Sequence, residues 1–329
     1  MNEDIKKITR LINTENFKDK SVLLVGSNGF LGRWFYDYFK NIGVEVLCLD
    51  NDISATDSTA EYRKCDITLG LPVRKRYDYV INCAGIASPE KYQKYPIETL
   101  DVSYAGTKNV LEYCKKFNVE SILMFSSSEV YGTPDKDNIP TKENYTGAVP
   151  TMGSRSCYDI GKQALEALSH VYYSKFGVPV KIVRPFNFYG PYMGVKDNRV
   201  LSNFMNNFLD DIPNKIYGDG KQTRTFCYVA DGISLALNVL LDGAPGEVYN
   251  IGNPKPEISI IQLAEIFYKS LEKESNFKIV NYPDDYPSDE PLRRCPCINK
   301  VINLSGKKDF VSLEDGIRKM RTYFEEVRS

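Results

Sequence analysis

The sequence predicts an α/β fold: a doubly wound parallel sheet with a smaller α/β C-terminal domain. Two observations carry this. Short apolar, β-rich runs alternate with helical stretches through the first half of the chain, the pattern of a parallel sheet covered on both faces. After Pro185 that rhythm breaks into loops, short strands and helices. The runs lie at residues 21–25, 44–49, 79–83, 121–125 and 180–183, with helical spacing at 31–41, 97–117 and 158–176. Further on, 187–191 reads as a loop, 198–209 as a helix, and 216–220 as a strand entering a turn. Helical patterns return at 229–241, 260–271 and 313–324. Residues 1–186, with a return segment at about 225–252, are assigned to the sheet domain. Residues 187–224 and 253–329 are assigned to the smaller domain, which the lack of any low-complexity linker expects to interlock with the first. The N-terminal twenty residues alternate in charge and suggest a short amphipathic helix through Ile5, Ile8, Leu11 and Ile12, ahead of the main fold.

Bulk properties exclude several classes of function. The 329 residues suffice for a large core. A net charge of -1 with scattered basic residues gives no footprint for nucleic acid or an anionic membrane. The densest basic cluster, Arg74-Lys75-Arg76, reads as a solvated loop. No apolar stretch reaches the length of a membrane span, and the N-terminus is not built as a signal peptide. Six of the eight cysteines lie in apolar or motif segments, as reduced core cysteines do. Cys295 and Cys297 lack partners for a metal site, and the single histidine, His170, sits in a helical pattern, so no metal is expected. A cytoplasmic location follows as an expectation.

Gly26-Ser27-Asn28-Gly29-Phe30-Leu31-Gly32 follows the first strand and opens the first helix of the sheet domain. Gly26 permits a tight turn, Gly29 lets backbone approach a pyrophosphate, and Gly32 allows close helix packing. The helix N-terminus offers unpaired N–H groups to an anion. In its strand–turn–helix context this is a dinucleotide fingerprint, and the sheet becomes Rossmann-type. Asp50 ends the second strand, where its carboxylate can accept hydrogen bonds from the adenosine ribose and repel a 2′-phosphate. Asn51 and Asp52 follow, with no arginine, so the expected cofactor is NAD. Asp66-Ile67 ends the next run and suits either an adenine edge or an ordinary strand-end turn. Cys83-Ala84-Gly85 closes the strand after that and should line the cofactor.

Tyr158 and Lys162 stand four residues apart, on one helix face. A nearby cation favours phenolate, so Lys162 should lower the pKa of Tyr158 and let it accept a hydroxyl proton during hydride transfer. Lys162 can also hold the nicotinamide ribose. Ahead of them lies Phe125-Ser126-Ser127-Ser128-Glu129, at the mouth of a central strand. Ser127 can hydrogen-bond the reacting hydroxyl. Ser126 and Ser128 suit turn chemistry as well as catalysis. A carboxylate such as Glu129 is costly at that place unless used or paired.

Taken together these residues resemble the extended short-chain dehydrogenase/reductase superfamily, its NAD-dependent epimerase/dehydratase group, from residue 21 onward. Within it, the chain is most similar to the UDP-glucuronate decarboxylase (UDP-xylose synthase) family. The likeness rests on Ala87-Ser88-Pro89 with Tyr95-Pro96-Ile97, Ser127-Ser128-Glu129-Val130-Tyr131-Gly132, Arg155-Ser156-Cys157-Tyr158-Asp159, and Asn198-Arg199-Val200. Tyr217-Gly218, Gln222-Thr223-Arg224 and Asp289-Glu290-Pro291-Leu292-Arg293-Arg294 complete it. The resemblance implies tightly bound NAD, a UDP-sugar substrate, and a homodimer through helices 97–117 and 158–176. It implies C4 oxidation, loss of carbon dioxide from the resulting β-keto acid, and re-reduction. It gives Arg294 the sugar carboxylate, Ser128 and Glu129 the reacting ring, and Asn187, Arg199, Tyr217 and Arg224 the rest of the substrate. Arg224 also suits a diphosphate on its own chemistry. Between Arg293 and Arg294 only the resemblance chooses. Asp101 departs from the family, standing where a substrate-contacting lysine is common. A 4,6-dehydratase or C4-epimerase shares the same first step, and a non-catalytic NAD-binding regulator shares the fold.

Overall fold

The computed structural model describes residues 1–53, 61–194, 197–282 and 292–328. In the sheet domain, α1 (Asn2–Leu11) precedes β1 (Ser21–Val25), α2 (Phe30–Asn41), β2 (Glu45–Asp50), β3 (Glu61–Lys64) and β4 (Tyr79–Asn82). Next come α3 (Pro89–Lys94), α4 (Pro96–Asp101), α5 (Thr107–Phe117), β5 (Ser121–Phe125), α6 (Ser156–Phe176) and β6 (Val180–Pro185). The second half holds β7 (Phe188–Tyr189), α7 (Val200–Leu209), β8 (Asn214–Tyr217), β9 (Thr223–Arg224), β10 (Cys227–Tyr228) and α8 (Val229–Asp242). It closes with β11 (Val248–Ile251), β12 (Ile258–Ser259), α9 (Ile260–Ser270), β13 (Phe277–Val280), β14 (Arg293–Arg294), α10 (Asn299–Ser305) and α11 (Leu313–Arg328).

The main sheet runs β11-β6-β5-β4-β1-β2-β3, and every pair in it is parallel. This is the Rossmann order with one added strand. Its direction of winding reverses between β1 and β4, and ligands bind outside the carboxyl ends of strands at such a crevice. The central strands are buried on both faces: all five residues of β1 and of β5 are buried. Continuous apolar runs are what a doubly covered parallel strand requires. The edge strand β3 is the opposite case, Glu-Tyr-Arg-Lys with three exposed residues. Its charges discourage further pairing at the open edge.

Helix α2 buries Trp34, Phe35, Tyr38 and Phe39 against the sheet, and Gly177, left-handed at φ 69°, ends α6. The stretch 97–117, read as one helix, instead passes through a π turn at Val102–Gly106 between α4 and α5. The N-terminal helix also differs from expectation. Rather than lying ahead of the fold, α1 packs into it through Ile5 and Ile8, with Ile12 just beyond, while Leu11 is exposed. Its Asp4 is buried and accepts hydrogen bonds from Tyr228 Oη (3.0 Å) and Lys319 Nζ (2.8 Å). An ion pair drawn from both chain ends thus replaces the solvated face that a charged segment suggests. Around the return segment, β11 pairs with β6, and Lys181 Nζ donates to the Leu240 carbonyl on α8 (2.6 Å). Among the described residues, no helix is long and apolar enough to cross a membrane.

Candidate active site

The β1–α2 turn is shaped by its glycines. Gly26 has φ +79°, and a Cβ there would sit 2.5 Å from Ala84 N. A Cβ on Gly32 would sit 2.1 Å from the Gly26 carbonyl oxygen. Both positions therefore demand glycine. On Gly29 a Cβ would meet only that same oxygen, at 3.4 Å, so packing alone does not require glycine there. Gly29 also begins α2, and no side chain caps that helix, which leaves its first N–H groups for an anion. Asn28 is committed to the loop itself. Its N–H donates to Asp50 Oδ2 (2.8 Å), and its side-chain amide donates to the Asp52 carbonyl (3.0 Å) and accepts from Arg33. Asp50 keeps its carboxyl at the strand end, with burial pushing its pKa up against the pull of nearby N–H groups. This cradle fits a dinucleotide: a close-packed glycine turn, an uncapped helix start and a carboxylate at the second strand end.

Asp66 behaves as turn chemistry. It accepts from Thr68 N (2.9 Å) and Oγ1 (2.8 Å), and Ile67 is buried behind it. Neither residue, nor Ala84, lines the central cavity, whereas Phe30, Leu31, Cys83 and Gly85 do. That cavity has a volume of about 720 Å³ and joins the nucleotide crevice to the smaller domain.

Tyr158 and Lys162 project from the start of α6 into this cavity, both buried. Lys162 Nζ donates to the Phe125 carbonyl (2.7 Å) and lies 5.8 Å from the centre of the Tyr158 ring. Gly85 makes room for it, since a Cβ there would be 3.4 Å from Nζ. Ser127 caps the helical turn Ser128–Tyr131 by accepting from Glu129 N (3.2 Å), and it hydrogen-bonds the Tyr158 hydroxyl. The electrostatics correct the sequence expectation. Burial pushes the Tyr158 phenol up to about 12, with the Ser127 hydrogen bond only partly offsetting it. Burial also brings the Lys162 ammonium down to about 8. Desolvation outweighs the attraction the two were expected to share.

Beside Tyr158 the cavity holds a charge cluster that the sequence only half disclosed. Glu129 is buried, and Arg294 grips it with both tips: Nη1 to Oε1 and Nη2 to Oε2, each 2.7 Å. Arg155 pairs with the same Oε2 and approaches Asp159 at 3.7 Å. Reading the sequence missed Arg155 as a site residue. The one available signal is a cation immediately ahead of the helix that carries Tyr158. The alternation of side chains along β14 separates its two arginines: Arg294 enters the cavity, and Arg293 turns out to Glu257 (2.5 Å).

The remaining candidates divide. Ser128, Asn187, Arg199, Tyr217 and Arg224 all line the cavity. Asn187 has φ +45° and donates to the Thr225 carbonyl (2.8 Å). Arg199 is paired with Asp197 and lies over the Phe30 ring. Tyr217 stacks on Tyr282, with ring centroids 6.4 Å apart. Arg224 is buried on β9. Ser126 lines the cavity too, with its hydroxyl donated to Glu166 (2.5 Å). Asp101 ends α4, exposed and outside the cavity lining, so the family departure there leaves the cavity wall untouched. His170 is exposed on α6, and all eight cysteines are free. Asp289, Glu290 and Pro291 lie outside the described residues.

A model of the NAD dependent epimerase/dehydratase family matches residues 22–252. The chain belongs to that family. Its cofactor is NAD, in keeping with the glycine cradle and Asp50. The chain is 33% identical over 312 residues to UDP-glucuronic acid decarboxylase 1 of Xenopus tropicalis, covering 93% of this chain and 72% of that protein. A solved UDP-glucuronic acid 4-epimerase variant from Bacillus cereus, in complex with UDP-4-deoxy-4-fluoro-glucuronic acid and NAD, is 26% identical. It has a TM-score of 0.80, over 93% of this chain and 99% of that one. UDP-glucose 4-epimerase from Thermotoga maritima, at 23% identity and a TM-score of 0.82 over 94% and 100%, shares the fold. As a family member the chain is an enzyme of the epimerase/dehydratase type, which sets aside the non-catalytic reading.

Proposed function

We propose that this enzyme is a UDP-glucuronate decarboxylase that works through a 4-keto intermediate. The observation that carries the reading is Arg294, whose guanidinium lies beside Glu129 in the cavity that Ser127 and Tyr158 also line. A planar fork there suits a sugar carboxylate at C5. The named decarboxylase relatives, 33% identical over most of the chain, support it.

Tyr158 accepts the proton of the C4 hydroxyl, and Ser127 holds that hydroxyl in line. Bound NAD supplies the hydride acceptor and a cationic ring that favours the phenolate. Lys162, anchored on Phe125, keeps an ammonium beside the phenol and fixes the ribose. The C5 carboxylate of the ketone leaves as carbon dioxide while its electrons move toward the C4 oxygen, which Tyr158 and Ser127 polarise. Arg224 and Asn187 hold the diphosphate and nucleotide, with Tyr217 and Arg199 framing them.

Glu129 weighs against a 4,6-dehydratase. That reaction needs a base at C5, and both oxygens of Glu129 are already engaged by guanidinium groups. The deciding experiment incubates the purified enzyme with UDP-, GDP-, dTDP- and CDP-sugars and follows products by mass spectrometry. Loss of carbon dioxide from UDP-glucuronate is expected. Loss of water, or an isomer of unchanged mass, would reassign the enzyme as a dehydratase or an epimerase. All eight cysteines being free favours a cytoplasmic setting. Ile97, Leu100 and Tyr104 stand exposed along one side of α4 and the turn after it, which favours a homodimer built on this face and α6. Light scattering should give a dimer mass, and Ile97→Glu should shift it toward monomer.

A further inference from the structure

The charge cluster at the sugar end is balanced as it stands. Glu129 and Asp159 face Arg155 and Arg294: two carboxylates against two guanidinium groups. Glu129 takes the end-on fork of Arg294, one N–H from each tip. A substrate carboxylate that is to use that same fork must displace Glu129. Simply adding it would set a third carboxylate against the same two guanidinium groups, which is disfavoured in a buried site. Glu129 has somewhere to go. It is also held by Arg155, which lies on the α6 side of the cavity.

One further group points to the same movement. Tyr92, on α3, is only 2% exposed, and its hydroxyl has no hydrogen-bond partner among the described residues. Buried hydroxyls are almost always paired. The Tyr92 ring stacks on Tyr158, with centroids 5.2 Å apart and planes within 16°, and Cys157 Sγ bonds its carbonyl. Its position is therefore fixed from α6. Glu129 and Arg155 both act electrostatically on its phenol, which burial keeps protonated and so a donor.

We propose that Glu129 is a displaceable gate that selects carboxylated sugars: it occupies Arg294 until the substrate carboxylate takes that guanidinium, then turns to the Tyr92 hydroxyl while remaining on Arg155. A neutral hexose has nothing to offer Arg294 and leaves the gate shut, so selectivity comes from a competitor built into the site. Tyr92 acts through Glu129 and is a positioning residue. The inference rests on the functional reading above to the extent that it requires a nucleotide sugar with a carboxylate.

The test uses the NAD-bound enzyme carrying Tyr158→Phe, which stops turnover and keeps the stacked ring. Calorimetry then measures UDP-glucuronate, UDP-glucose and UDP. Glu129→Gln, which removes the competing charge, should bind UDP-glucuronate about tenfold more tightly and leave UDP and UDP-glucose unchanged. A merely structural glutamate would not produce tighter binding. Tyr92→Phe, smaller by one atom, should weaken UDP-glucuronate several-fold and leave UDP unchanged. Its effect should vanish when Glu129→Gln is also present. Unchanged or weaker UDP-glucuronate binding in Glu129→Gln would overturn the gate. So would a Tyr92→Phe effect that is the same in both backgrounds, and this arm stands even if Glu129→Gln folds poorly in a melting assay. If the parent binds UDP-glucuronate no better than UDP, the functional reading falls, and the same series with UDP-galacturonate decides the gate. Equal affinity of every variant for that sugar and for UDP would end the proposal.

Discussion

The two ends of the central cavity are made in opposite ways. The cofactor end is backbone: Gly26 to Gly32, one strand end and one helix start, contiguous in sequence and rigid by close packing. The sugar end is charge: Glu129, Arg155 and Arg294, from segments as far as 165 residues apart, meeting in one buried cluster. The first end tolerates little change of backbone and says little about the substrate. The second is where the proposed function places the choice of sugar. Between them stands Tyr158, which serves both in the proposed mechanism.

Because Tyr158 serves both ends, its loss should have the largest effect. Tyr158→Phe removes the proposed proton acceptor while preserving the ring that stacks on Tyr92. Turnover should fall by about 10²–10⁴-fold, with NAD still bound in the purified protein. Full turnover on every active sugar nucleotide would remove Tyr158 from the chemistry.

The cofactor end can be broken more sharply by comparing two glycines three residues apart. Gly26→Ala meets both a left-handed φ and a 2.5 Å contact with Ala84 N. It should cost about 2–4 kcal/mol of stability, read by urea unfolding, and abolish NAD retention. Gly29→Ala has an ordinary φ and a nearest contact of 3.4 Å. It should keep the fold within about 1 kcal/mol and lose NAD affinity alone. Equal unfolding midpoints for the two would contradict the idea that one glycine serves packing and the other the ligand.

The same contrast explains what could be read from the sequence. The glycine turn, the strand runs and the Tyr158/Lys162 pair are local patterns whose geometry follows from spacing, and the sheet shows them where expected. The polar edge strand β3 lacked an apolar signal because it is exposed. The two-residue strands β9, β10, β12 and β14 are held by tertiary contacts rather than by propensity. Arg155 could be seen as a residue but not as a partner of Glu129, because pairing across 26 positions and a strand-to-helix crossing leaves no periodic trace. The pKa of Tyr158 departs from the expectation for a related reason. Spacing shows that a cation is near, whereas the depth of burial that outweighs it is a property of the assembled fold.

Lys162 sharpens that last point through pH. Its ammonium titrates near 8 when folded and near 10.5 when free. Below pH 8 it is charged in both states, so the fold bears the whole desolvation cost. Between pH 8 and 10.5 the unfolded chain binds more protons, so stability rises with pH across that window. Lys162→Met should therefore be more stable than wild type at pH 7, by up to about 3 kcal/mol. The difference should shrink between pH 8 and 10.5. Turnover of the wild type should decline through pH 8 as the charge beside the phenol is lost. A difference in unfolding free energy that is flat with pH would show that the buried ammonium is solvated in solution.

The smallest effect belongs to the neighbour of the residue on which the functional reading turns. Arg293 and Arg294 are adjacent on β14, yet one faces Glu257 with its side chain 42% exposed and the other faces Glu129 with 12%. An exposed pair contributes at most about 1 kcal/mol. Arg293→Ala should therefore leave kcat/KM within about twofold and shift the unfolding free energy by less than about 1 kcal/mol. Arg294→Ala should remove activity on the carboxylated sugar while sparing UDP binding. If the two alanine variants lose activity alike, the loss comes from β14 as a strand and not from the guanidinium that enters the cavity. The assignment of the sugar carboxylate to Arg294 would then fail.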